Sequence, residues 1–270
     1  MFRAMAAVAW DPPRDPTIYG GHDVDATELL AWLERKSAEV GQKITPTHAV
    51  ARAFAQTLRR HPGLNCTVRL GRLWQRQRVS IFLQVAVPPA DKGGQQASQK
   101  ADLSGALIAD CDQKDVATIA AEVRAVADKI RSGDDPVLKS TKKNLAWMPP
   151  YLMYWALRAA SFLSHDLGLD LTRLGIANDP FGSIMVTSLG MMGVGRAYAP
   201  HFPAAKGLGC VLVGAIEDGV RVIDGEVRIR KLLPVTVTLD HRVVDGYQAS
   251  VLARETRALL EAPWQLDEPA

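Results

Sequence analysis

The chain has 270 residues, with 32 Lys and Arg against 29 Asp and Glu for a formal net charge of +3, and 47% of it is apolar and 23% charged. These proportions exclude global disorder, collagen-like repeats and a polybasic nucleic-acid-binding tail. Cys66, Cys111 and Cys210 fall at no CxxC or zinc-finger spacing, so neither a disulfide framework nor a metal site is expected and a reducing, cytoplasmic location is.

At the start of the chain, the apolar run Met1 to Trp10 is too short for a secretory core and an acidic, Pro-rich stretch follows at once, so no export signal is expected. Asp25, with Glu28 three residues on, has the form of a capping box. Leu29, Leu30, Leu33 and Val40 recur at helical spacing, which predicts a helix over Asp25 to Val40. Thr45 and Pro46 open a second helix, Thr45 as cap and Pro46 in the first turn where its missing N–H costs nothing. Val50, Phe54 and Leu58 line its inner face, and His61-Pro62-Gly63 stops it. Cys66 to Leu70, Leu73 to Gln77 and Val79 to Val87 read as strands joined by tight turns. Between Pro88 and Asp102 the composition turns to Pro, Lys, Gly, Gln and Ser, which predicts a mobile surface loop. Ala106 to Ile108 resumes as a strand, and the stripe Val116, Ile119, Ala120, Val123, Ala127 and Ile130 predicts a helix from Lys114 to Arg131.

Residues 145–163 crowd Trp147, Leu152, Trp155, Phe162 and Leu163 behind Lys139, Lys142 and Lys143. Pro149-Pro150 and Arg158 break the run below the roughly 20 residues a bilayer crossing requires. The segment reads as a helix packed on this protein or on a partner subunit, with attachment to a membrane surface as the alternative.

The last third is β-rich: Ser183 to Ser188, Cys210 to Ile216, Val220 to Ile223, Val227 to Ile229 and Pro234 to Leu239, with Asp224-Gly225 as a hairpin turn. A final helix over Tyr247 to Glu261 should bury Val251, Leu252, Ala258 and Leu259. Between that last strand and helix stands Asp240-His241-Arg242-Val243-Val244-Asp245-Gly246. A strand-to-helix junction presents side chains to ligands, and an imidazole titrating near neutrality can take a proton from a thiol and return it. Asp245 is placed to organise that site, and Gly246 to let the chain turn without a Cβ clash. Taken alone, H-x-x-x-D-G arises by chance in about 3% of such chains. Asp240 and Arg242 read as a structural ion pair. His22, His48, His61, His165 and His201 read as surface or helix-end residues, and Arg69, Arg72, Arg76 and Arg78 as a solvated strand face rather than a phosphate site.

The tail from Ser183-Ile184-Met185-Val186-Thr187-Ser188-Leu189-Gly190 through Asp240 to Gly246 and on to Leu259-Leu260-Glu261-Ala262-Pro263 resembles the catalytic domain of the 2-oxoacid dehydrogenase dihydrolipoamide acyltransferases (E2), relatives of chloramphenicol acetyltransferase. Val24 to Leu30, His61 to Asn65 and Asp110 to Lys114 carry further matches. The resemblance implies a single α/β domain over residues 1–270, helices layered on a mixed β-sheet, and a homotrimer with active sites between subunits. It implies acyl transfer between coenzyme A and a thiol such as dihydrolipoamide. His241 then matches the general base, Asp245 the residue four positions later, and Thr187 the oxyanion donor supplied by the neighbouring subunit. Thr187 by itself reads as an ordinary strand residue. Ser188, Leu189 and Gly190 match a Ser-Leu-Gly turn that borders the coenzyme A path.

The usual E2 pattern also has a lipoyl domain and a subunit-binding domain that these residues do not show; if the chain is complete, a lipoyl group is expected to arrive on a separate lipoyl-carrying protein or another dehydrogenase component, or the thiol acceptor is a different one. Leu138 to Pro180 and the loop from Pro88 to Asp102 read as insertions. The acidic ending, Trp264 to Ala270, is a poor apolar anchor for cage assembly, and a trimer without the larger cage is expected. The alternative reading is a non-catalytic trimeric scaffold that keeps the fold.

Overall fold

The computed structural model describes residues 16–87, 102–132, 149–174, 179–201 and 206–268. Nine strands and five α-helices follow in chain order among these residues: β1 (Thr17–Asp25), α1 (Thr27–Val40), α2 (Pro46–Arg60), β2 (Cys66–Arg69), β3 (Arg72–Gln75), β4 (Ile81–Val87), β5 (Asp102–Ile108), α3 (Val116–Arg131), α4 (Pro150–Ser161), β6 (Ile184–Ser188), β7 (Gly209–Val213), β8 (Glu217–Ile223), β9 (Glu226–Asp240) and α5 (Gly246–Glu261). The main sheet has the order β1-β9-β7-β6-β4-β5, with β8 added to β9. It is mixed: β6 runs parallel to β4 and β7, and the other pairs are antiparallel.

The alternation of side chains along each strand decides what the sheet's two faces do. Ile81, Leu83, Ile184, Val186, Val211, Val213, Leu233, Val235 and Leu239 point to one face and join the core with Leu29 and Leu33 of α1, Phe54 and Leu58 of α2, Ile119 of α3 and Leu252 and Leu259 of α5. This is the expected layer of helices on a mixed sheet. The other face carries Thr187, Leu212, Thr236 and Thr238, all buried, and a small cluster of Phe82 and Phe181.

Several elements differ from expectation for identifiable reasons. Asp25 is the last residue of β1 rather than a helix cap; its carboxylate accepts from the Thr27 amide (3.1 Å) and hydroxyl (2.6 Å), and α1 begins only at Thr27. β1 was not foreseen. The α3 cap is Asp115, whose carboxylate accepts from the Thr118 amide at 2.7 Å, so that helix starts two residues after Lys114. The segments Val227 to Ile229 and Pro234 to Leu239 are one strand, β9. Pro234 is tolerated inside it because β7 leaves β9 at Val213 and β8 joins only at Glu217. The Pro234 carbonyl still accepts from the Gly214 amide, so the missing N–H removes no ladder bond. The hairpin turn at Asp224 and Gly225 is as expected, both residues having positive φ (53° and 82°). Ala106 to Ile108 extends to the seven-residue β5, and β2 and β3 form a separate two-stranded sheet. Ala258 is exposed, and Leu260 fills the core beside Leu259 instead.

The expected loop at 88–102 falls, but for Asp102, outside the described residues, as do residues 145–148 of the apolar segment. The rest of that segment forms α4 and then a wide π-type turn, Phe162–Asp166. The turn buries His165 against β2, with Nε2 3.1 Å from both the Thr67 hydroxyl and the Val68 carbonyl, which corrects the surface reading of that histidine. Among the described residues no helix is long and apolar enough to cross a membrane.

His48 also has a structural duty. Its Nδ1 accepts from the Thr45 amide at 3.1 Å, making it the return partner in a capping box at the start of α2. Burial lowers its pKa from 6.5 to about 4. The ring is therefore neutral in the fold but protonates in the unfolded chain below about pH 6.5, so folding stability falls as the pH drops from there to about 4. The loss is on the order of 3 kcal/mol. Urea unfolding across that range should show the slope in the wild type, and His48→Gln, which keeps the cap acceptor and cannot titrate, should remove this part of it.

Candidate active site

β9 ends at Asp240, and the next five residues carry the chain from the sheet into α5. The Asp240 carboxylate accepts from the Arg242 amide (2.9 Å) and from its guanidinium (2.6 Å to Nη2), the ion pair expected there. Burial opposes the charge on Asp240, but these bonds outweigh it and hold the carboxyl below the usual range. The Asp240 carbonyl accepts from the Val243 and Val244 amides at 2.9 and 3.1 Å, and both valines are buried beneath the turn.

Asp245 closes the loop from the other side as the cap of α5. Its carboxylate accepts from the Gln248 amide at 2.9 Å, and the Gln248 side chain accepts from the Asp245 amide at 3.0 Å. The spacing Asp245-x-x-Gln248 is a legible capping signal that the sequence reading passed over. Gly246 needs a different explanation from the one expected, because its φ is not positive and an added Cβ would meet nothing within 4 Å.

His241 sits between these two anchors. Its amide donates to the Pro16 carbonyl at 2.8 Å, which fixes its backbone against the start of β1, while the residue itself is exposed. The result is a solvent-accessible imidazole on a loop held at both ends.

Thr187 lies elsewhere. It is buried in β6, level with Leu212 of β7, which is level with Thr236 of β9. Two strand spacings and the five residues from Thr236 to His241 put roughly 19 Å between the Thr187 and His241 backbones. Ser188, Leu189 and Gly190 follow Thr187 at that opposite end of the sheet. The Leu189 amide donates to the Val213 carbonyl at 3.0 Å. Gly190 permits a close approach rather than a special turn: a Cβ there would fall 2.6 Å from the Gly214 carbonyl oxygen. Within one chain, then, Asp245 supports the His241 loop, and the Thr187 to Gly190 group stands apart from it.

The cysteines offer no alternative nucleophile. Burial pushes Cys111 and Cys210 up to about 12 and raises Cys66 as well, so all three remain thiols near neutrality. Of the arginines expected on a solvated strand face, Arg72 and Arg78 are exposed, Arg78 in a pair with Asp110, whereas Arg76 is half-buried against Asp179.

The family model for the 2-oxoacid dehydrogenases acyltransferase catalytic domain matches residues 10–136 and 178–267, which span both anchors of the His241 loop and the whole of β6. The chain belongs to this acyltransferase family. The unmatched stretch 137–177 coincides with most of the segment from Leu138 to Pro180 that read as inserted, and α4 lies inside it. The chain is 36% identical over 81 residues to the lipoamide acyltransferase component of the branched-chain alpha-keto acid dehydrogenase complex of Pseudomonas putida, covering 30% of this chain and 19% of that one. It is 23% identical over 248 residues to the dihydrolipoyllysine-residue acetyltransferase component of the pyruvate dehydrogenase complex of Bacillus subtilis, covering 89% of this chain and 44% of that one. The chain thus spans less than half the length of these curated relatives. Among solved structures, the dihydrolipoamide acetyltransferase of Azotobacter vinelandii, studied for the catalytic role of a serine, a histidine and an asparagine, superposes with a TM-score of 0.65 at 21% identity, covering 94% of this chain and 84% of that one. Chloramphenicol acetyltransferase gives a TM-score of 0.51 at 12% identity, over 92% and 89% of the two chains, which places this member of the acyltransferase family in the same fold class.

Proposed function

We propose that this chain transfers an acyl group between coenzyme A and an external thiol of the dihydrolipoamide type, with His241 as general base. The observation that carries this reading is an exposed imidazole on a loop fixed by Asp240, Arg242 and Asp245, in a chain whose own cysteines are held protonated. His241 takes the proton of the acceptor thiol, and the thiolate attacks the carbonyl carbon of the acyl-CoA thioester. The tetrahedral oxyanion accepts a hydrogen bond from the Thr187 hydroxyl. As the carbon–sulfur bond to coenzyme A breaks, the imidazolium returns its proton to the departing thiolate, leaving free coenzyme A and the acylated acceptor. The serine, histidine and asparagine studied in the Azotobacter relative supply a hydroxyl, an imidazole and an amide; Thr187 and His241 offer the first two here, and Asp245 offers a carboxylate in place of the amide.

The separation of roughly 19 Å between Thr187 and His241 supports a site shared by two copies, because one carbonyl cannot touch both residues of a single chain. A closed cyclic assembly provides such a site, and the reading is a homotrimer whose coenzyme A arm passes Ser188, Leu189 and Gly190. Residues 263–268 are folded against the chain's own α1 and α2, with Lys36 2.8 Å from Asp267 and Leu266 fully buried.

Complementation tests the shared site. His241→Ala and Thr187→Ala chains, each almost inactive alone in coenzyme A-to-dihydrolipoamide exchange, should recover activity when refolded together, with about a quarter of the sites intact in a random equal mixture. Mixtures no more active than their components would refute the shared site. Wild-type protein that forms no thioester with any of a panel of acyl-CoAs would refute acyl transfer altogether.

A further inference from the structure

Acyl transfer to a thiol leaves the acyl group itself unspecified, and the protein has a space beside the base that can specify it. A cavity of about 180 Å³ lies between the sheet and α5, with Ile18 and Gly20 of β1 and Val237 and Leu239 of β9 on one wall and Ala249 and Leu252 of α5 on the other. Thr256 also lines it, but its hydroxyl is turned to the Leu252 carbonyl at 2.7 Å. Two further polar residues line it: Tyr19, which is largely exposed, and His22, at the end remote from His241, whose buried Nε2 has no partner among the described residues.

Position links this space to the reaction. Leu239 stands two residues before His241, next to the last residue of β9, about 6.6 Å along the chain at strand rise, and Ile18 pairs with Leu239. Ala249 lies one turn into α5, and its amide bonds to the carbonyl of the Asp245 cap. Leu239 and Ala249, the two residues that flank the loop holding the base, are thus the cavity's nearest walls to it.

Composition explains why the space exists. Ile18, Gly20, His22 and Val24 occupy the inward positions of β1, and of these Gly20 alone has no side chain. The backbone does not demand glycine there, since a Cβ would make an ordinary 3.7 Å contact with Val237. An empty apolar volume forfeits the contacts a filled core would make, and an aliphatic ligand restores them.

We propose, resting on the acyl-transfer reading, that this cavity receives the acyl chain and selects a short aliphatic group over acetyl. Apolar cavities of about 150 Å³ accept a benzene-sized guest, which corresponds to linear or branched chains of about four to six carbons. A longer chain would bring its apolar end against the unpaired His22 nitrogen.

Two variants fill the space from opposite walls, Gly20→Val and Ala249→Leu. The wild type is expected to use butyryl-, isobutyryl- and hexanoyl-CoA with a kcat/KM at least tenfold above that for acetyl-CoA, and either folded variant should reduce that ratio at least tenfold. Isobutyramide, which contains no thioester, should shift the Leu252 methyl resonances of the wild type and not those of the variants. A wild type with no preference over acetyl, or variants that keep the preference, would overturn the selection. If acetyl and longer thioesters are all inert, the acyl-transfer reading fails and the proposed selection with it. The isobutyramide shift then decides whether the cavity binds aliphatic groups at all, and its absence would overturn that also.

Discussion

Replacing His241 with alanine is expected to lower kcat for exchange between coenzyme A and dihydrolipoamide by about a hundredfold to ten-thousandfold, the range that a positioned general base contributes. Folding should be nearly untouched. Among the described residues His241 is bonded through its backbone amide to Pro16, which alanine retains, and the loop is held by Asp240, Arg242, Asp245 and Gln248. Stopped assays of thioester formation, with circular dichroism and sedimentation of the variant, separate lost chemistry from lost structure. Unchanged turnover in a correctly folded variant would remove the enzymatic reading and leave the scaffold in its place.

The largest effect on stability is expected at Arg52. This residue lies inside α2 and is only 3% exposed. Its guanidinium reaches two remote segments at once: Nη1 donates to the Asp112 carbonyl at 2.6 Å, Nε to Leu266 at 3.1 Å and Nη2 to Glu268 at 2.8 Å. Gln56, one turn on, adds a bond to the Glu268 carbonyl at 2.9 Å. Burial lowers the Arg52 pKa, but an arginine stays charged throughout the working range. Arg52→Ala would strip these carbonyls of their donors and open a void beneath the C-terminal turn, a loss of about 3–5 kcal/mol. Urea midpoints should show it, and limited proteolysis should cut near residue 265 before the body of the protein. Arg52→Lys, which offers the charge without the planar fork, should fall between the two. A loss below about 1 kcal/mol for Arg52→Ala would show that the tail is held by Leu266 and Pro263 alone.

The two residues illustrate what a sequence can and cannot disclose. The His241 loop was legible because its geometry is local: the end of a strand, a turn and the start of a helix follow one another between Leu239 and Gln248. The apolar stripes of α2 and α3 and the Asp224-Gly225 turn were legible for the same reason. Arg52 was not, since its partners are 60 to 216 residues away and nothing near it announces backbone acceptors. β1 was missed because it is an edge strand of mixed burial containing Gly20, Gly21 and polar residues, and it is defined by its register with β9 rather than by its own alternation. The continuity of β9 was hidden by Lys231 and Pro234, harmless only where β7 gives way to β8. Thr187 could be matched but not located, because its distance from His241 depends on the order of three strands.

That distance bears on how much work the protein does at low abundance. If each reaction centre draws its imidazole and its hydroxyl from different polypeptides, a freshly folded copy is finished as a structure and inert as a catalyst. Specific activity should then decline on dilution even while every molecule remains native, making output respond more steeply than linearly to expression level.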